Sequence, residues 1–166
     1  MRVCAVPAPH FTNRVAEAND LLRNREQSPE LPDAERKLLL DTLADTARAI
    51  AQRRAPEQLL HGEPHSGNVL NTKNGPVFID LESCCRGPIE FDVAHVPEAV
   101  SVHYPDADRE LLLDCRLLVL AMVSAWRWDG RDEFPNREQA AQELLAAIRS
   151  GPPYPTLDAL IGATVD

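Results

Sequence analysis

The chain has 166 residues, 44% apolar and 26% charged, which suits one globular core and is too apolar for a disordered segment. Its formal net charge of -9 works against non-specific binding to nucleic acid and favours a cationic ligand only faintly. No run approaches the roughly 18 apolar residues of a membrane span, and MRVCAVPAPHF lacks the apolar stretch of a signal peptide, so a cytoplasmic protein is expected.

Residues 11–27 (FTNRVAEANDLLRNREQ) have helical character, with Thr12 or Asn13 as N-cap. SPELP at 28–32 breaks the pattern. Pro32 then suits the first turn of a second helix to about Arg54. Its core-facing stripe would be Leu39, Leu43, Ala47, Ile50 and Ala51. After the short apolar Gln58–Leu60 comes a polar loop, HGEPHSGN at 61–68, poor material for helix or strand. VLNT and PVFID follow, separated by Lys73-Asn74-Gly75, and Asn-Gly in that place signals a hairpin. A hairpin brings its outer ends together, which makes His61–Asn68 and Asp80 spatial neighbours.

SCCRGPIEF reads as a loop punctuated by Gly87-Pro88, and residues 92–99 as a short helix. Residues 106–128 form the longest apolar segment, a helix hydrophobic nearly all round and therefore central. A last amphipathic helix covers about 137–149, Gly151-Pro152-Pro153 ends it, and the tail is expected to pack loosely. Trp126 and Trp128 fit either a pocket lining or core packing. The cysteines, Cys4, Cys84, Cys85 and Cys115, include no CxxC pair, and adjacent Cys84 and Cys85 would bridge only with strain, so free thiols are expected.

Three chemistries compete for the polar loop. A zinc peptidase needs HExxH on a helix, whereas here Gly62 and Pro64 interrupt any helix and Glu63 comes one place late. A zinc deaminase would use His61-Gly62-Glu63 but also needs P-C-x-x-C, and Cys84-Cys85 lacks that spacing. Phosphoryl transfer needs a carboxylate near the attacking hydroxyl, with an amide and a second carboxylate for magnesium. Glu63, Asn68 five residues on, and Asp80 at the far end of a hairpin meet that spacing.

HGEPHSGNVL…GPVFIDLESCCRGPIEFDVAHV resembles the catalytic core of the aminoglycoside phosphotransferase family, whose motif reads HGDxHxxN, a strand ending in IDxE or IDW, a Gly-Pro turn and DLA. The resemblance covers about residues 59–96. It implies an α+β, mostly helical fold: the C-terminal lobe of a protein-kinase-like fold, with a small β-hairpin carrying the catalytic loop. Residues 1–166 would form a single domain of that kind, without the N-terminal nucleotide lobe, since no Gly-rich loop precedes His61 and Lys37, midway along a helix, reads as a solvated side chain. The implied reaction moves the γ-phosphate of ATP to a hydroxyl of a small molecule, with Mg2+ as cofactor.

Carried over residue by residue, the base position falls on Glu63 and the metal- and nucleotide-binding positions on Asn68 and Asp80. His61 falls on a mainly structural member of the catalytic loop. His65 is assigned either to orienting the loop or to approaching the phosphates, and Asp92 to bracing it. Acceptor contacts would lie around Glu90–Tyr104 and the long helix. Glu63 departs from the usual aspartate, and its extra methylene moves the carboxylate by about 1 Å or more, a displacement that costs on the order of 10²-fold in a positioned reaction. The alternative is a catalytically inactive, pseudokinase-like lobe acting as a binding or regulatory module. In either case a partner chain or second copy is expected to cover the face left by the missing lobe.

Overall fold

A computed structural model of the chain describes residues 7–161. Helices α1 (Thr12–Arg23) and α2 (Asp33–Arg53) come first. Helix α1 is shorter than expected, and its N-cap is Phe11, which makes no side-chain cap. Instead Thr12 Oγ1 is tied to the His10 ring at 2.7 Å, and Phe11 is buried with its ring 5.1 Å from that of Phe91. Pro32 caps α2 from outside its first turn. On α2 Leu39, Leu43 and Ile50 reach the core, but Ala51 is exposed, and Arg36 and Thr46 are buried in its stead.

Arg36 explains why residues 28–32 are ordered although they break the helical pattern. Its guanidinium donates to the backbone oxygens of Ser28 at 2.8 Å and Leu31 at 3.3 Å, and also to that of Leu22. Carbonyls orphaned where α1 ends thereby find donors. Burial still lowers the pKa of Arg36, with the Arg25 charge a smaller cause.

The middle of the chain supplies four short strands, β1 (Gln58–Leu60), β2 (Val69–Thr72), β3 (Gly75–Phe78) and β4 (Cys85–Gly87). Strands β1 and β4 pair antiparallel with Leu60 opposite Cys85, so Cys84–Gly87 is not wholly loop. Residues 9–11 run beside β4, with Arg86 N donating to Pro9 O at 2.7 Å and Phe11 N to Arg86 O at 2.9 Å. Strands β2 and β3 form the hairpin, Val69 opposite Phe78 and Thr72 opposite Gly75. Of the turn residues only Gly75 takes a positive φ, +105°, which a side chain would resist. Extensive contacts of β2 and β3 are confined to each other, and Leu70, Val77 and Phe78 stay about half exposed.

Helix α3 (Ile89–Val93) starts directly after Pro88, three residues earlier than the sequence suggested, and Pro97 separates it from α4 (Glu98–Ser101). Helix α5 (Arg109–Arg127) is the centre of the molecule, packed by α1, α2, α3 and α6 (Arg137–Ser150). Asp108 caps α5, accepting from Glu110 N at 2.9 Å and Leu111 N at 3.0 Å. The described part of the tail, up to residue 161, packs better than expected: Thr156 and Leu157 are buried, and helix α7 (Leu157–Ile161) lies on α6.

Cys85 and Cys115 are buried free thiols and Cys84 is partly buried, while Cys4 lies outside the described residues. Lys37 is exposed and pairs with Asp41 one turn along α2. Among the described residues no helix is long and apolar enough to cross a membrane.

Candidate active site

Two anchors shape the HGEPHSGN loop. Asp92 on α3 accepts from His61 N through Oδ2 and from Gly62 N through Oδ1, both at 2.9 Å. Burial raises the pKa of Asp92, while the two N–H donors pull it back down. The other anchor is the His61 ring. Its Nε2 donates to Ile79 O at 2.9 Å and its Nδ1 accepts from Glu63 N at 3.3 Å, which fixes the tautomer. Both ring nitrogens are thus committed to backbone, and His61 links the loop to the residue before Asp80. Gly62 holds φ at +91°, and a Cβ there would run into Ser83 O.

His65 starts a 3₁₀ turn, Ser66–Asn68, its Nδ1 accepting from Gly67 N at 3.1 Å. Its Nε2 makes no hydrogen bond with a described residue. Asn68 is buried and fixed on every side but one. Its backbone N–H donates to His65 O, its backbone oxygen accepts from Ile79 N at 2.9 Å, and its Nδ2 donates to Glu63 O at 2.9 Å. That last bond leaves Oδ1 as the free end of the amide. Asp80, just past β3, adopts the left-handed conformation with φ 61° and ψ 51°, a region that aspartate tolerates at some cost. Its side chain is exposed and makes no hydrogen bond or ion pair with a described residue.

Magnesium takes oxygen ligands, commonly one or two from protein with the rest from phosphates and water. The Asn68 amide oxygen and the Asp80 carboxylate, both uncommitted and rooted at the same end of one hairpin, fit that donor chemistry. No group of three or more His, Cys, Asp or Glu side chains arranged for a metal occurs among the described residues, as the two zinc readings would have required.

Glu63 is in company that spacing did not reveal. Arg14 on α1 pairs with its Oε1 through Nη2, and Ser83 Oγ donates to its Oε2 at 3.3 Å. The Arg14 guanidinium lies 5.0 Å from the centre of the Trp126 ring, and its Nη1 is buried with no hydrogen-bond partner among the described residues. Arg127, which pairs with Asp132 at 3.1 Å, also bears on Glu63: burial lowers its pKa, and the Asp132 and Glu63 charges oppose that. Trp126 is therefore the partly buried floor under Arg14, and Trp128 is buried in the core.

The family model described as "Phosphotransferase enzyme family" matches residues 3–114, more than half of the chain. No curated protein sequence matches. Solved structures do, at low identity. An ethanolamine kinase of Plasmodium vivax is 17% identical with a TM-score of 0.65, over 90% of this chain and 52% of that one. A choline/ethanolamine kinase family protein from Mesorhizobium loti is 12% identical with a TM-score of 0.68, over 90% of this chain and 56% of that one. An amicoumacin kinase in complex with AMP-PNP and Ca2+ is 12% identical with a TM-score of 0.55, over 96% of this chain and 66% of that one. The fold is that of the protein-kinase-like small-molecule kinases, and the chain spans about half the length of the first two.

Proposed function

The chain belongs to the phosphotransferase enzyme family, and from that premise we propose that it carries the catalytic-loop half of an ATP-dependent kinase acting on a small-molecule hydroxyl. The observation that carries the proposal is the pairing of Asn68, pinned with its Oδ1 uncommitted among the described residues, with an Asp80 that makes no hydrogen bond or ion pair with a described residue and is held in a left-handed backbone. These two residues would hold Mg2+ against the phosphates of ATP, where the ion would neutralise charge developing on the transferred group. Glu63 orients the acceptor hydroxyl and takes its proton, and His65 Nε2 is available to a phosphate oxygen. His61 and Asp92 position the loop. A cytoplasmic setting suits ATP as phosphate donor, and the exposed hairpin supports a second chain or second copy lying over it.

The test is thermal unfolding with millimolar MgATP. A ligand at about 100 times its Kd stabilises by about 2.7 kcal/mol. The melting temperature should rise with MgATP, and Asp80→Ala should abolish the rise. A melting curve that ignores MgATP overturns the reading.

A second reading is favoured by one observation, the Arg14–Glu63 ion pair. A carboxylate engaged by a guanidinium and a hydroxyl is a poor proton acceptor, which suits a nucleotide-binding module without turnover. ATP consumption, measured in the protein that binds MgATP, separates the two.

A further inference from the structure

Arg116 is a charge in an apolar place. It lies midway along α5, is 7% exposed, and has Cys115 and Leu118 as buried neighbours on the same helix. Its Nε is buried with no hydrogen-bond partner among the described residues. Among the described residues its ion-pair partner is Glu98, on the four-residue α4, whose own side chain is 71% exposed. Taking a guanidinium out of water is costly unless its donors are well met. One carboxylate that remains largely in solvent, on a helix of a single turn, meets them incompletely.

A cavity of about 530 Å³ opens where this pair meets the surface, a volume ordinary for a small-molecule site. Its wall includes Glu98, Val102, Tyr104, Arg109, Leu112 and Arg116. Among the wall residues two guanidiniums face one carboxylate, in a chain of net charge -9. Arg116, by hydrogen bonding, and more weakly the Arg109 charge hold the Glu98 carboxyl below its usual range, so both cations bear on one point. Much of the remaining wall is apolar and open to solvent, with Val102 71% and Tyr104 42% exposed. Exposed apolar side chains beside a buried cation are the two halves of an amphipathic binding site.

We propose that this cavity binds a small organic anion, a phosphate or carboxylate group on an apolar or aromatic body. The anionic group takes the place of Glu98 on Arg116, and the body lies on Tyr104 and Val102. Glu98 then acts as the internal competitor that keeps Arg116 paired when the cavity is empty. The cavity falls in the Glu90–Tyr104 and long-helix region expected to contact an acceptor, but the inference uses no residue of the 61–80 site and its test reads binding alone, so it stands or falls apart from phosphoryl transfer.

Calorimetric titration of the full chain tests it, with phenyl phosphate and benzoate as probes and phenyltrimethylammonium as a cation of similar body. One or both anions should bind saturably, the tighter of them naming the head group, and the cation should bind at least 10-fold more weakly. Glu98→Gln, a change at an exposed position, should tighten the anion about 5-fold by removing the competitor. Arg116→Lys, with its fold checked by circular dichroism, should weaken it about 10-fold, the scale of one charge-assisted hydrogen bond. Equal binding of phenyltrimethylammonium overturns the proposal. So does unchanged anion affinity in Glu98→Gln, or the absence of saturable binding to that variant at about 10 mM probe.

Discussion

Arg14 and Glu63 stand 49 residues apart in sequence and meet in a partly buried ion pair braced by Ser83 and Trp126. Truncating one partner leaves the other charge without its counterion, which for buried pairs costs about 3 to 5 kcal/mol. Arg14→Met should therefore destabilise the chain by about 3 kcal/mol in urea unfolding. Combined with Glu63→Gln it should cost clearly less than the sum of the two single changes, because the second change removes the orphaned charge. Additive losses would show that the pair is not energetically coupled. A second residue-scale effect belongs to His95, fully buried, its Nδ1 donating to Phe91 O at 2.8 Å. Burial, the largest cause, pushes its pKa down from 6.5 to about 3. A histidine depressed in the folded state contributes stability that is complete above its unfolded pKa and is lost as pH falls from about 6.5 toward about 3. Across that window one proton is taken up on unfolding, about 1.4 kcal/mol per pH unit. Stability measured against pH should show this slope, and His95→Gln should flatten it.

At the scale of elements, what could be read from sequence was whatever local chemistry encodes. The long helix announced itself by composition and the hairpin by Asn74-Gly75, and the neighbourhood of His61–Asn68 and Asp80 followed from that hairpin. The β1–β4 pairing could not be read this way, because three-residue strands carry no usable alternation and Gly87-Pro88 looks like punctuation. Arg14 and Ser83 were invisible for a related reason: no spacing rule connects a helix of the first twenty-odd residues to a loop beyond residue 60. Ser83 also constrains the loop at its tightest point, since its carbonyl lies where a side chain on Gly62 would go. Gly62→Ala combines that collision with a φ of +91°, so it should cost more than the roughly 1 kcal/mol of an ordinary glycine substitution at positive φ. The expected outcome is a lowered melting temperature together with loss of any response to MgATP. Retention of both would mean that the loop moves freely against Ser83.

For the molecule as a whole, the helices form one body around α5, and the β2–β3 hairpin stands outside it, touching the rest mainly through its root. A two-stranded hairpin covered mainly where Phe78 meets the His61 ring is marginal on its own. The residues at that root, Asn68 and Asp80, are the candidate metal ligands. Asn68 is held by the catalytic loop and Asp80 follows a residue tied to His61, so under the proposed reading a nucleotide bridging the two would also order the hairpin that joins them. That ordering free energy subtracts from apparent affinity. By thermodynamic reciprocity, a contact that settles on Leu70, Val77 and Phe78 and stills the hairpin would tighten the proposed nucleotide binding by the same factor with which bound nucleotide would tighten that contact. If the proposed nucleotide binding holds, the exposed apolar residues of the hairpin would also be a control point, through which a contact remote from the phosphates sets how well they are held.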